Sequence, residues 1–248
     1  MNSVAIEVKG LSHRYKGQAE DVIPNMSLSV AQGQSFGLFG PNGTGKTTLI
    51  SLITGLLDYQ KGSIQLFDKE VVSHKKAVRR QFGYVPQSLS YYEELSPRHN
   101  LQYFGAMMGM TTSQIKERTE ELLTVLGLIH VMNKPVKTFS GGMKRRVNLA
   151  IGVIHNPQLI FLDEPTVGVD VQTRHAIIAY LKELNTRGTT LFYTSHHLSE
   201  AQELCDTVAL MDDGQIVAHD KLSNLLKNHQ EEGLEGLFLK LTGKAFRD

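Results

Sequence analysis

Nine consecutive residues, Gly40-Pro41-Asn42-Gly43-Thr44-Gly45-Lys46-Thr47-Thr48, combine three glycines with one lysine and three threonines. Glycines let a backbone curl until successive N–H groups face one anion. A helix beginning at Lys46 would add the positive end of its dipole at the same point. Lys46 can reach the β- and γ-phosphates of a nucleoside triphosphate, and the Thr47 hydroxyl can ligate Mg²⁺. The rest of the run, Gly40 to Gly45 and Thr48, is expected to line the same ligand.

A second run, Leu159-Ile160-Phe161-Leu162-Asp163-Glu164, is an apolar strand ending in two carboxylates. Ligands of α/β sheets bind beyond the carboxyl ends of such strands. Asp163 would hold Mg²⁺ or its water shell, and Glu164 would orient or deprotonate an attacking water. By themselves the two acids also suit an ordinary helix start. The glycine loop favours the catalytic reading.

The elements that must carry these residues can be read from periodicity. Val4, Ile6 and Val8 alternate with polar neighbours, as do Met26, Leu28 and Val30, which predicts half-solvated antiparallel strands. Ser35 to Phe39 is a short apolar strand leading into the glycine loop, and Lys46 to Leu56 is the helix after it. Pro97 to Ile154 has helical spacing, as in Ile115, Leu122, Leu123 and Leu126. Strand and helix then alternate again: LIFLD, Val171 to Leu184, TTLFYTS, and Leu198 to Leu204. Thr207 to Met211 and Gln215 to Ala218 pair through an Asp213-Gly214 turn.

Composition sets outer limits. The 248 residues hold 26 basic and 25 acidic side chains, a net charge of +1, with 41% hydrophobic and 21% charged residues. That balance excludes disorder and collagen-like structure and gives no whole-chain bias towards nucleic acid or anionic lipid. The length suffices for a core without staples. Cys205 is the single cysteine, which fits a reducing compartment. The longest apolar run, Tyr103 to Met110, falls far short of the roughly 20 residues that a bilayer requires. The first residues, MNSVAIEVKG, lack the basic start and apolar stretch of a secretory leader. Action at a membrane is therefore expected to require docking on another chain.

Between the two runs lies Phe139-Ser140-Gly141-Gly142-Met143-Lys144-Arg145-Arg146. Ser140 suits an N-cap, and the glycines let N–H groups approach an anion at the start of a helix. Alone, this is a capped helix. Flanked by the other two runs, it resembles the signature motif of ATP-binding cassette (ABC) ATPases, usually written LSGGQ. The resemblance covers nearly the whole chain. Tyr15 matches the aromatic residue that stacks on adenine. Gln87, in Tyr84-Val85-Pro86-Gln87, matches the glutamine that approaches Mg²⁺ and water and couples to the membrane subunit. Val167-Gly168-Val169-Asp170 resembles the D-loop, and His196, in Thr194-Ser195-His196, the switch histidine at the γ-phosphate. Taken singly, these are ordinary core, turn and strand-end residues; their order carries the resemblance. Met143 departs from the family's glutamine and cannot close a capping box with Ser140. His197 is expected at the surface.

The resemblance implies an α/β fold: a P-loop NTPase (RecA-like) core with an N-terminal antiparallel β subdomain and an inserted α-helical subdomain. The expected division is a core of 1–90 and 157–228, an insertion of 91–156 and a helical tail of 229–248. It implies Mg²⁺-dependent ATP hydrolysis at catalytic residues Lys46, Gln87, Glu164 and His196. Thr47, Gln87 and Asp163 are expected on the metal. Tyr15, the 40–48 loop, Ser140, Gly141, Gly142 and Asp170 are expected on the nucleotide. In related proteins the glycine loop and the signature serve different ATPs in a head-to-tail dimer, so a second nucleotide-binding subunit is implied. The complete motif set favours an identical one. An integral-membrane permease is the other implied partner, with no nucleic acid, at the cytoplasmic face of the membrane.

Tyr92 to Ser96, Arg98 to Leu101, Thr166 to Asp170 and the tail Leu234 to Gly243 are similar to the drug, polysaccharide and lipid exporter branch. Export is thus expected; an importer subunit and a regulatory module with weak hydrolysis remain alternatives. The tail places Leu234, Leu237, Phe238 and Leu241 on one helical face, for its own domain or for a partner. The interval from Thr47 to Ser140 lacks the sustained heptads of a DNA-repair relative. Asn133-Lys134-Pro135-Val136 lacks the carboxylate that reads guanine.

Overall fold

The computed structural model describes residues 3–243. The chain opens with antiparallel strands β1 (Val4–His13) and β2 (Ile23–Ala31), then β3 (Ser35–Phe39) and helix α1 (Lys46–Ile53). Next come β4 (Lys61–Leu66), β5 (Lys69–Glu70), α2 (Lys75–Arg79) and β6 (Phe82–Val85). The helical stretch comprises α3 (Pro97–Met107), α4 (Thr112–Val125), two short 3-10 turns and α5 (Gly141–Val153). The remaining elements are β7 (Leu159–Asp163), α6 (Val171–Thr186), β8 (Thr190–Ser195), α7 (Leu198–Leu204), β9 (Thr207–Asp212), β10 (Gln215–Lys221), α8 (Leu222–His229) and α9 (Leu234–Thr242).

Two sheets result. One is antiparallel in the order β2-β1-β4-β5; the other runs β10-β9-β3-β8-β7-β6. Within the larger sheet β9, β3, β8, β7 and β6 pair in parallel, and β10 joins antiparallel at the edge. Parallel strands covered on both faces are apolar throughout, and all residues of β3, β7 and β8 are buried. Phe36, Leu38, Phe161 and Phe192 face a core shared with Leu49, Ile50, Leu52 and Ile53 of α1 and with Ile6, Val8 and Leu28 of the small sheet. Thus α1 lies between the sheets. Ile160, Leu162, Leu191 and Tyr193 face the opposite core, with α5, α6 and α7. Each fully buried Leu or Phe contributes about 1.5–3 kcal/mol.

Helix α1 stops three residues before the predicted Leu56. Thr54 closes it, its hydroxyl donating to the Ile50 carbonyl at 2.8 Å, and Gly55 takes a left-handed φ of +69°. In the Asp213-Gly214 turn both residues have positive φ, 43° and 75°, as a tight two-residue hairpin requires. The tail helix packs on its own chain: Leu234, Leu237 and Phe238 are buried in the same core as α5 to α7. Residues 244–248 of the tail lie outside the described residues.

Helix α5 meets β6 closely. A Cβ on Gly83 would lie 2.0 Å from the Gly152 carbonyl, and one on Gly152 would lie 2.5 Å from Val85 Cγ2. These two glycines set the helix that starts at the signature motif directly on the strand that leads to Gln87.

Candidate active site

The glycine loop joins β3 to α1. Gly45 caps the helix with φ 102°, Gly43 has φ 85°, and a Cβ on Gly40 would lie 2.2 Å from the Met211 carbonyl. Only glycine suits the first two. Asn42 and Gly43 are exposed at the bend, and Thr44 is buried, its hydroxyl donating to the Pro41 carbonyl at 3.0 Å. Lys46 is 5% exposed, and its ammonium donates to the carbonyls of Gly40 at 2.7 Å and Pro41 at 3.0 Å. Burial lowers its pKa, opposed by Glu164 and Asp163.

Asp163 and Glu164 end β7 beside this loop. Thr194 Oγ1 donates to Asp163 Oδ1 at 2.8 Å. Burial raises the Asp163 carboxyl above its ordinary range, against the Thr194 and Thr47 hydroxyls and the Lys46 charge. Burial, with the nearby Asp163, also pushes Tyr84 up to about 12. Glu164 is 4% exposed and adopts a left-handed φ of +49°, a strained value for a residue with a Cβ. Its N–H is held by the Thr194 carbonyl at 3.1 Å. Three side chains converge on its carboxylate. Gln87 Nε2 donates to Oε2 at 3.0 Å, His196 Nδ1 lies 3.0 Å from Oε1, and Lys46 Nζ lies 3.9 Å from Oε1. The His196 contact has ion-pair distance but not hydrogen-bond alignment. His197 is exposed, as expected, its N–H on Ser195 Oγ at 2.9 Å.

Tyr15 stands at the edge of the loop, its hydroxyl 3.1 Å from Thr48 Oγ1 and its ring edge-on to His13. The structure therefore gathers Tyr15, the 40–48 loop, Gln87, Asp163, Glu164 and His196. The 139–143 segment forms a separate group. Ser140 caps α5 by accepting from the Met143 N–H at 3.3 Å, and Ser140 and Gly141 are exposed. Gly142 abuts Thr173 and Asp170, where a Cβ would lie 2.7 Å from Thr173 Oγ1. Asp170 caps α6, accepting from the Thr173 N–H at 2.9 Å.

Sequence reasoning missed Arg145 and Asn148, which join the two groups. Arg145 donates to the carbonyls of Gln87 and Val167, and Asn148 Nδ2 to that of Pro86 at 3.1 Å. The available signal was helical spacing: Gly142, Arg145, Asn148, Leu149 and Gly152 share the buried face of α5.

The donor set fits a hard cation. Thr47 and Asp163 offer a hydroxyl and a carboxylate side by side, and the Gln87 amide sits on the adjoining Glu164; hydroxyl, carboxylate and amide oxygens suit Mg²⁺ with retained waters and phosphate oxygens. Beside Gln87 opens a mainly apolar cleft of about 630 Å³, lined by Leu56, Tyr84, Pro86, Phe104, Met107 and Ile151 among others. A larger cavity of about 810 Å³ opens at the amino ends of the strands, by Arg118, His155, Gln158 and Thr190. Its lining does not include Asp163 or Glu164.

Comparison with known proteins places the chain in a family. Residues 23–167 match the family described as ABC transporter. The chain is 40% identical over 197 residues to the linearmycin resistance ATP-binding protein LnrL of Bacillus subtilis, covering 79% of this chain and 63% of that protein. It is 37% identical over 221 residues to the Nod factor export ATP-binding protein I of Ralstonia nicotianae, covering 89% of this chain and 68% of that one. The chain thus spans about two thirds of the length of these relatives. A solved structure of the ATP binding subunit of an ABC transporter superposes with a TM-score of 0.88 at 28% identity, covering 96% of this chain and 99% of that one.

Proposed function

The chain belongs to the ABC transporter family, and we propose that it is an ATP-binding and ATP-hydrolysing subunit that energises an exporter. The observation that carries this reading is the grip on Glu164 by Gln87, His196 and Lys46 beside the glycine loop.

In this reading the triphosphate lies over the 40–48 loop, and Lys46 exchanges the Gly40 and Pro41 carbonyls for β- and γ-phosphate oxygens. Tyr15 stacks on the base. Thr47, Asp163 and Gln87 would hold Mg²⁺, which supplies positive charge to the phosphate oxygens when bound. Glu164 orients a water and takes its proton on a carboxylate oxygen as the water oxygen bonds to the γ-phosphorus. The bridging oxygen leaves on ADP. His196 steadies the γ-phosphate. Lys46 and the loop amides meet the spread negative charge.

The exposed Ser140 and Gly141, with Asp170 behind them, are the surface for the ATP of a second, identical subunit. ATP then acts as a ligand between subunits that favours the closed pair, and its hydrolysis releases them. The cleft beside Gln87 is the seat proposed for the permease, at the cytoplasmic face of the membrane. In this division the core is 1–90 and 157–228, the helical arm 91–156 and the tail 229–248. Export is supported by the names of the relatives above. ATP turnover measured with and without a co-purified permease tests the reading. Stimulation by the permease is expected; turnover that stays negligible in both preparations would favour a regulatory module.

A further inference from the structure

Three consecutive basic residues follow the glycines of the 139–143 segment, and they go three ways. Lys144 Nζ sits 3.2 Å from Glu93 near the surface. Arg146 Nη1 donates to the Leu126 carbonyl at 2.8 Å, tying α5 to the end of α4. Arg145 turns inward and is 8% exposed. Its Nη1 donates to the Gln87 carbonyl at 2.6 Å and its Nη2 to the Val167 carbonyl at 3.1 Å.

A guanidinium is costly to remove from water without a paired carboxylate. Burial lowers its pKa, with Tyr91 and Glu164 opposing, yet its hydrogen bonds go to main-chain carbonyls. Those carbonyls explain the residue. They belong to loops leaving two adjacent parallel strands, β6 and β7, and no backbone hydrogen bond links Gln87 to Val167 among the described residues. A planar fork can bridge two such acceptors, whereas the single ammonium of lysine is a point charge on a flexible stem. One turn further along α5, Asn148 secures the same loop, donating to the Pro86 carbonyl at 3.1 Å and accepting from the Ser90 N–H at 3.0 Å. The outcome of this bracing is visible at the Gln87 side chain, whose amide reaches Glu164 Oε2 at 3.0 Å.

We propose that Arg145 is a positioning residue for hydrolysis: it spaces the Gln87 and Val167 carbonyls and thereby keeps the Gln87 amide on Glu164. This rests on the reading of Gln87 and Glu164 given above. The same guanidinium connects the loop proposed to feel the permease with the segment proposed to face the second subunit.

The test is a cycle of four full-length proteins, wild type, Arg145→Lys, Gln87→Ala and the double variant, assayed for Mg²⁺-dependent ATP turnover. Arg145→Lys should lower kcat about tenfold, the scale of a charge-assisted hydrogen bond, and leave the KM for ATP unchanged. In the Gln87→Ala background it should cause no further loss, because residues acting through one another are not additive. An equal loss in both backgrounds, or a raised KM with intact kcat, overturns the positioning role while leaving Gln87 in place. Wild-type turnover in Gln87→Ala alone overturns the reading of Gln87 and the proposal together. If Arg145→Lys does not fold, Arg145→Ala assayed with methylguanidinium replaces it. Turnover should then recover in that variant but not when Gln87→Ala is added, and recovery in neither overturns the proposal.

Discussion

Gln87 and Glu164 are joined by a 3.0 Å hydrogen bond between loops that leave neighbouring strands, the amide of one held on the carboxylate of the other. Glu164 receives this donor while its own backbone sits at φ +49°. A left-handed backbone at a buried carboxylate is tolerated where surrounding contacts over-determine it. Here the Thr194 carbonyl, Gln87, His196 and Lys46 do so.

Glu164→Gln keeps the shape of the side chain and removes its capacity to take a proton. ATP should still bind, turnover should drop by about 10²–10⁴, and a closed dimer should accumulate with ATP on a sizing column. Turnover near the wild-type rate would remove Glu164 from its role.

Lys46 donates to the Gly40 and Pro41 carbonyls of the glycine loop. Lys46→Ala should therefore weaken ATP binding by about one to two orders of magnitude, the loss of charge-assisted contacts to phosphate. Calorimetric titration checks this; unchanged affinity and turnover would defeat the assignment.

Asp163 carries a cost of burial. Burial raises its pKa, so the stability it contributes is whole below its ordinary value of 3.8 and is lost as pH rises through the raised value. At neutral pH the ionised carboxyl is the unfavourable form. Asp163→Asn should raise the nucleotide-free melting temperature at pH 7 and abolish Mg²⁺-dependent turnover. A lower melting temperature would contradict the argument.

His155 works in the opposite sense. Burial lowers its pKa from 6.5; one ring nitrogen is 3.0 Å from the Phe82 carbonyl, and the other is buried without a partner. The stability gained from the neutral ring is present above pH 6.5 and is lost as pH falls through the lowered value. Melting temperature should decline between pH 7 and pH 5, and His155→Gln should flatten that decline. Parallel curves would show that other groups set it.

Much of this arrangement is legible in the sequence because strong periodicity and glycine-rich loops are local signals. Ser35–Phe39 and Leu159–Asp163 were readable because apolar runs ended at turn chemistry. The end of α1 was not, since Leu56 continues the apolar pattern past a glycine that needs φ +69°. Within the site, the order of motifs indicates which residues belong together, while the side-chain contacts do not follow from it. Nothing local brings Gln87 and His196 to the Glu164 carboxylate; parallel pairing of β6, β7 and β8 does so. Arg145 is hidden for a related reason: in a run of three cations, only the helical phase of α5 tells which one is buried.

Gly83→Ala places a methyl group within 2.0 Å of the Gly152 carbonyl, in main chain that cannot yield as a side chain tip would. Stability should fall by about 1–3 kcal/mol, the range for overpacking, measurable as a lower urea midpoint; an unchanged midpoint would mean that α5 can lift off β6.

That seam also limits how the molecule can transmit force. The Gly83 backbone lies flush against the Gly152 carbonyl there, so the helix behind Ser140 cannot lean against its strand without driving one peptide plane into another. A shift of β6 at this seam would thus carry α5 with it. Any pivot must be sought in the connections at either end, where the chain leaves the seam.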